Sequence, residues 1–286
     1  MLILGNLQLP YPVMLAPMAG ISDLPFRLIN RSFGAPFAFT EMIDVRAISH
    51  RDKRTRSMLL SCAEDRPLGV QLLGSDEKYI LPALEVLSEN TFDLLDFNAA
   101  CPTPKVTRKG KGAALLKEPR KLASILKSLV DRSGMPVTVK IRTGWDIDSI
   151  NACDVALRAE DAGVTAVFIH GRTRIQGYSG EVDYKNIGAV KKALRVPVIA
   201  SGDNLSLPLI RKMFNETGCD GVALARGTLG NPWIFRNARE LLSQDAVELK
   251  PVSKHERIET IREHFKLVID HFRESERCTE RSVDQT

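Results

Sequence analysis

Short runs rich in Val, Ile and Leu alternate eight times with longer amphipathic stretches, and this alternation limits the folds open to the chain more than any other feature. The runs lie at 13–16, 37–40, 68–72, 94–97, 137–141, 166–169, 198–200 and 221–224. Helical periodicity fills the gaps at 24–33, 78–87, 122–130, 151–162, 186–193, 205–214 and 231–242, and the slot at 44–60 is the least regular. Strand and crossover helix in strict alternation predict a parallel sheet. Eight such units within 286 residues predict an α/β fold, a (β/α)8 TIM barrel over 1–242 with a short C-terminal helical segment over 243–286. A doubly wound open sheet with fewer strands is the rival.

A barrel collects its chemistry where strands end, and polar side chains gather at those positions here. Met18 and Ala19 follow the first run, Glu41 the second, Gln71 lies in the third, and Asn98 with Cys101 follows the fourth. Lys140 with Arg142 closes the fifth, His170 with Arg172 follows the sixth, Gly202 with Asp203 the seventh, and Arg226 with Gly227 the eighth. Each alone reads as a strand-end hydrogen bond or a solvated charge; together they outline one mouth. The turns "IASGDN" and "LARGTLGNP" occupy the last two positions, where barrels bind phosphate on backbone N–H groups and a helix N-terminus. Asn231 as cap with Pro232 at the first helical position predicts that helix start.

Charge and cysteine usage narrow the setting. Residues 105–142 hold eleven Lys or Arg against Glu118 and Asp131, a local +9, and residues 46–56 add five basic residues against Asp52. The stretch 231–286 is balanced, with ten basic and eleven acidic residues. The basic character therefore belongs to two loops, as expected for contact with an anionic partner. The five cysteines are widely spaced with no CxxC, which argues for reduced thiols and against a disulfide framework or a zinc site. No apolar run reaches membrane-spanning length, and residues 1–20 carry three prolines and no basic start, so a cytoplasmic protein is expected. Of the cysteines, Cys101 alone is flanked by an apolar run, by Pro102 and Pro104, and by a burst of positive charge.

"LAPMAGISDLPFR", "GVQLLGSD", "DFNAACPTPKV", "GAALL", "VKIRTGWD", "FIHGRTRIQGYSG", "ASGDN" and "GVALARGTLGNPWIF" occur in that order between Leu15 and Phe235. The chain thereby resembles the tRNA-dihydrouridine synthase family, flavin enzymes on a (β/α)8 barrel that use FMN, recharged by NADPH, to reduce the C5=C6 bond of uridines in tRNA. The resemblance implies that Ala16, Pro17, Met18, Gln71, Lys140, His170, Ser201, Gly202, Asp203, Ala225 and Arg226 bind FMN. It implies that Cys101 donates the proton and Asn98 lies near the target uracil. Lys105, Arg108, Lys109 and Arg172 are expected on the tRNA side, since phosphate contacts position an RNA without reading it. A thiol that is mostly protonated at neutral pH suits the acid's role. Neither a metal nor a membrane is expected.

Two departures stand out. The family commonly has glycine where this chain has Ala100, a position that alanine would strain if φ were positive. The family's C-terminal domain has several helices, whereas here Ser253 to Glu256 reads as a capping box before one helix with an apolar stripe of Ile258, Ile261, Phe265, Val268, Ile269 and Phe272. That stripe is expected to pack on the barrel flank or on another chain. The alternatives are an FMN oxidoreductase of a free pyrimidine and a tRNA-binding flavoprotein with little turnover.

Overall fold

The computed structural model describes residues 1–243 and 251–281, with side chains through residue 273. A hairpin, β1 (Leu2–Leu4) and β2 (Leu7–Leu9), precedes eight strands: β3 (Val13–Leu15), β4 (Ala38–Asp44), β5 (Leu68–Leu73), β6 (Leu94–Asn98), β7 (Val137–Arg142), β8 (Ala166–His170), β9 (Val198–Ser201) and β10 (Gly221–Leu224). These eight pair in parallel in the order β3-β10-β9-β8-β7-β6-β5-β4. Leu15 N–H donates to the carbonyl of Phe37 at 3.0 Å, drawing the two ends together. The result is the (β/α)8 barrel and not the open sheet.

Alternation along the strands sorts the core into two shells. Val13, Leu15, Val139, Val167, Ile169, Val222 and Leu224 point outward and pack beneath the helices. Met14, Phe39, Leu94, Phe168, Ile199 and Ala223 point inward and meet Leu2, Leu4 and Leu9 of the hairpin, which plugs the barrel from below. The periodicity of the first nine residues was too short to announce that hairpin.

Several boundaries differ from expectation for local reasons. β4 runs on to Asp44 through a register shift between Phe39 and Met42, so Glu41 lies within it. The irregular slot holds two short helices, Val45–Ser49 and Lys53–Ser57, capped by Asp44 and Asp52. The last barrel helix starts at Ile234 and not at Pro232, and Asn231 donates its side-chain Nδ2 to the Gly227 carbonyl at 3.2 Å. Ser253 does cap the helix Lys254–Arg281, accepting from Glu256 N–H at 3.1 Å, whereas the Glu256 carboxylate leaves the box to pair with Arg236 at 2.8 Å. That helix meets the barrel through Arg257 over Trp233 and His264 against Phe26. The expected burial of the stripe on the barrel flank is not found: Ile258, Ile261, Phe265, Val268 and Ile269 are exposed, since the docked face is the one carrying Glu256 and His264.

Candidate active site

The inward alternation that fills the barrel with apolar side chains turns polar at its C-terminal end. Asp96 and Asn98 continue the line of Leu94, Thr138 and Lys140 stand on β7, and His170 follows Phe168. Asn98, Lys140 and His170 line a cavity of about 480 Å³, with Ala16, Pro17 and Met18 on one side and Ala225 and Arg226 on another. All eleven residues expected at the cofactor line this cavity, as do Asn98 and Cys101.

Cys101 is held from three directions. Asn98 Oδ1 accepts the N–H groups of Ala100 at 3.0 Å and Cys101 at 2.8 Å. Arg142, 2% exposed, donates from Nε to the Ala100 carbonyl at 2.7 Å. Ala113 N–H donates to the Cys101 carbonyl at 3.1 Å, and Gly112 is required beside it because a Cβ there would lie 2.8 Å from that oxygen. The thiol lies 3.3 Å from Thr103 Oγ1. Ala100 has no positive φ, so alanine is unstrained where glycine was in question.

The electrostatics of the floor follow from burial. Lys140 has its pKa lowered to about 8, chiefly by desolvation, with Asp96 opposing and Arg142 adding to the shift. Desolvation, then Arg142, Lys140, Arg172 and Arg226, holds His170 well below its ordinary range, so the imidazole is neutral at pH 7. Its Nδ1 is buried with no hydrogen-bond partner.

The two glycine turns lie against one another, since a Cβ on Gly227 would fall 2.3 Å from the Asn204 carbonyl oxygen. Asp203 adopts φ of 49° and gives its carboxylate to Arg172 and Arg226, and the Arg172 hydrogen bond leads in holding its pKa below the ordinary range. The backbone of this turn, rather than the acid, is therefore left for a ligand. Arg172 corrects an expectation: it is 2% exposed and spends its guanidinium on Asp203 and on the Ser179 and Gly180 carbonyls, so it positions a wall and cannot reach an RNA. Lys105, Arg108 and Lys109 are exposed outside the cavity, around the short helix Pro104–Thr107. Lys109 lines a neighbouring groove with Arg46, His50 and Tyr79, so folding joins the two basic clusters that are separate in sequence.

The dihydrouridine synthase (Dus) family model matches residues 14–282. The chain belongs to the dihydrouridine synthase family. tRNA-dihydrouridine synthase B of Pasteurella multocida is 38% identical over 262 residues, covering 92% of this chain and 79% of that protein. The protein of the same name from Pseudomonas aeruginosa is 42% identical over 235 residues, covering 82% and 70%. Among solved structures, the Amycolatopsis orientalis BexX/CysO complex shares the fold at TM-score 0.57 and 14% identity, covering 88% of this chain and 98% of that one.

Within this family member, sequence reasoning missed Asp96, Thr138 and Tyr178. Tyr178 lines the cavity 58% exposed, edge-on to His170 and stacked against the guanidinium groups of Arg142 and Arg226. A charge at an inward parity position in "LLDFN" was the available signal for Asp96; Tyr178, in an irregular loop, offered none.

Proposed function

We propose that this chain is a flavin-dependent tRNA-dihydrouridine synthase that reduces the C5=C6 bond of uridines in tRNA, with FMN in the barrel-mouth cavity and NADPH as reductant. The observation that carries the reading is a thiol fixed at the rim of a cavity whose floor holds a cation and a neutral imidazole. The residues fit FMN. The unpartnered His170 Nδ1 is a free polar atom for a heterocycle, and Lys140 is a fixed cation for the charge that reduction adds to the pyrimidine side of a flavin. The two packed turns offer backbone to a phosphate, beside Arg226.

When bound, FMN supplies the hydride to C6. The thiol of Cys101 gives its proton to C5, completing addition of two hydrogens across the bond. Asn98 and Arg142 keep the turn bearing that thiol in place. Lys105, Arg108 and Lys109 lie outside the mouth, where phosphate contacts would orient the RNA. A uracil must leave its stack to enter a cavity of this size, and bases in loops leave at least cost. We assign residues 1–242 to the catalytic barrel and 243–286 to a C-terminal segment that contains the helix Lys254–Arg281.

The deciding experiment quantifies dihydrouridine by mass spectrometry in unmodified tRNA incubated with the protein, FMN and NADPH. Product is expected, with Cys101→Ala lowering its rate by about 10²–10⁴-fold, the usual worth of a positioned acid. Reductant oxidised with free pyrimidines but not with tRNA would instead make the chain a nucleobase reductase.

A further inference from the structure

The polar floor rests on one carboxylate. Asp96 lies on the inward face of β6 between Leu94 and Asn98 and is 1% exposed. Its two oxygens serve two different strands: Oδ2 accepts from Gln71 Nε2 at 2.6 Å and Oδ1 accepts from Thr138 Oγ1 at 2.7 Å. Gln71 Oε1 accepts from Asn98 Nδ2 at 2.8 Å, and Asn98 Oδ1 accepts from the N–H groups of Ala100 and Cys101 at 3.0 and 2.8 Å. One directed chain of hydrogen bonds therefore runs from the barrel interior to the backbone of Cys101.

The direction of that chain follows from its anchor. An ionised carboxylate only accepts, so Gln71 turns its nitrogen inward and its oxygen to Asn98. Asn98 must donate there, which leaves its oxygen for the turn. The charged group facing Asp96 is Lys140 on β7, and burial raises the carboxyl pKa to about 6 against the pull of Gln71 and Thr138. A buried acid would be a poor choice for stability alone, because an apolar residue of similar volume avoids the desolvation.

We propose that Asp96 is a positioning residue of the reaction, acting through Gln71 and Asn98 to hold the Cys101 turn in register with the cavity. This rests on the assignment of Cys101 as the acid. Asp96 itself lies beneath the cavity wall and touches no reacting atom.

The test compares the flavin-loaded wild type with Asp96→Leu, Asp96→Asn and Thr138→Val, measuring dihydrouridine formation on tRNA and backbone hydrogen exchange from residue 94 to 103. Asp96→Leu is expected to lower kcat about 100-fold with KM for tRNA within about threefold, as for loss of transition-state positioning. The amides of Ala100 and Cys101 should exchange about tenfold faster, with β8 and β9 unchanged, because their acceptor has lost its support. Asp96→Asn keeps an acceptor for Gln71 and should recover most of both readouts, and Thr138→Val should fall between. A Leu variant within threefold of wild-type kcat, or one whose protection falls evenly over every strand, overturns the proposal. If Asp96→Leu does not fold, wild-type protection of Ala100 and Cys101 in both remaining variants does so. Failure of the wild type to make dihydrouridine would sink the function instead, and the exchange contrast would still decide the part played by Asp96.

Discussion

Under the proposed function, Lys140 trades stability for chemistry. Its pKa is lowered from 10.5 to about 8, so between those values the unfolded chain binds more protons than the native one and stability rises with pH. Below pH 8 the folded protein carries a charge it would rather lose, at a cost of at most about 3 kcal/mol, since the cavity side of the ammonium keeps some hydration. Lys140→Met is therefore expected to be more stable at pH 7 by up to about 3 kcal/mol and to lose the rise between pH 8 and 10, while turnover falls. Urea titrations at pH 7 and pH 9.5 check this; a variant no more stable than wild type at pH 7 would show that the cation is not penalised. Asp96 has the mirror sign: its carboxyl is raised from 3.8 to about 6, so stability declines as pH rises through that window.

The Cys101 turn and the helix after it divide two tasks between neighbouring residues. Asn98, Arg142 and Ala113 take the backbone of the turn, and Gly112 makes room for its carbonyl. Lys105, Arg108 and Lys109 then face solvent, while Lys111 turns back to pair with Asp44. Under the proposed function, the alanine triple variant at 105, 108 and 109 should bind tRNA more weakly and flatten the log–log salt dependence by about 2, at three released counterions or fewer. Turnover at saturating tRNA should persist, because no reacting atom is touched. An unchanged salt slope would leave these cations as a solubilising surface. The positions of the three were legible in sequence, but the groove that Lys109 shares with Arg46 and His50 was not, because it depends on the loops after β4 and β6 meeting across β5 at the same end of the barrel.

At the scale of the molecule, a cavity at one end of the barrel requires a dense plug at the other. Phe39 lies edge-on to Phe37 at 4.9 Å and to Phe168 at 5.4 Å, directly in the cluster that receives Leu2, Leu4 and Leu9 of the hairpin. Phe39→Ala should cost about 3–5 kcal/mol, the loss expected for a buried aromatic in a site that cannot collapse. A denaturant midpoint that moves by less than about 1 kcal/mol in equivalent stability would mean that the lower barrel is loosely filled. The C-terminal helix is attached differently, through the partly exposed Arg236–Glu256 pair and rings at its edge. A pair of that kind contributes no more than about 1 kcal/mol.

What sequence alone determined is what repeats or acts locally. Eight strand-and-helix periods narrowed the fold to a barrel or an open parallel sheet, strand-end polarity outlined the mouth, and the prolines and positive charge around Cys101 singled it out as the candidate thiol. What only the tertiary structure decided depends on contacts between distant strands. Arg172 has the same residue type and strand-end position as a ligand arginine, yet the approach of Asp203 from the next strand buries it. Asp96 looks like a flaw in an apolar strand until Gln71 and Thr138 arrive from either side. The hairpin and the outward turn of the last helix's apolar stripe are likewise choices of packing partner, and a one-dimensional pattern carries the periodicity of a face without naming what covers it.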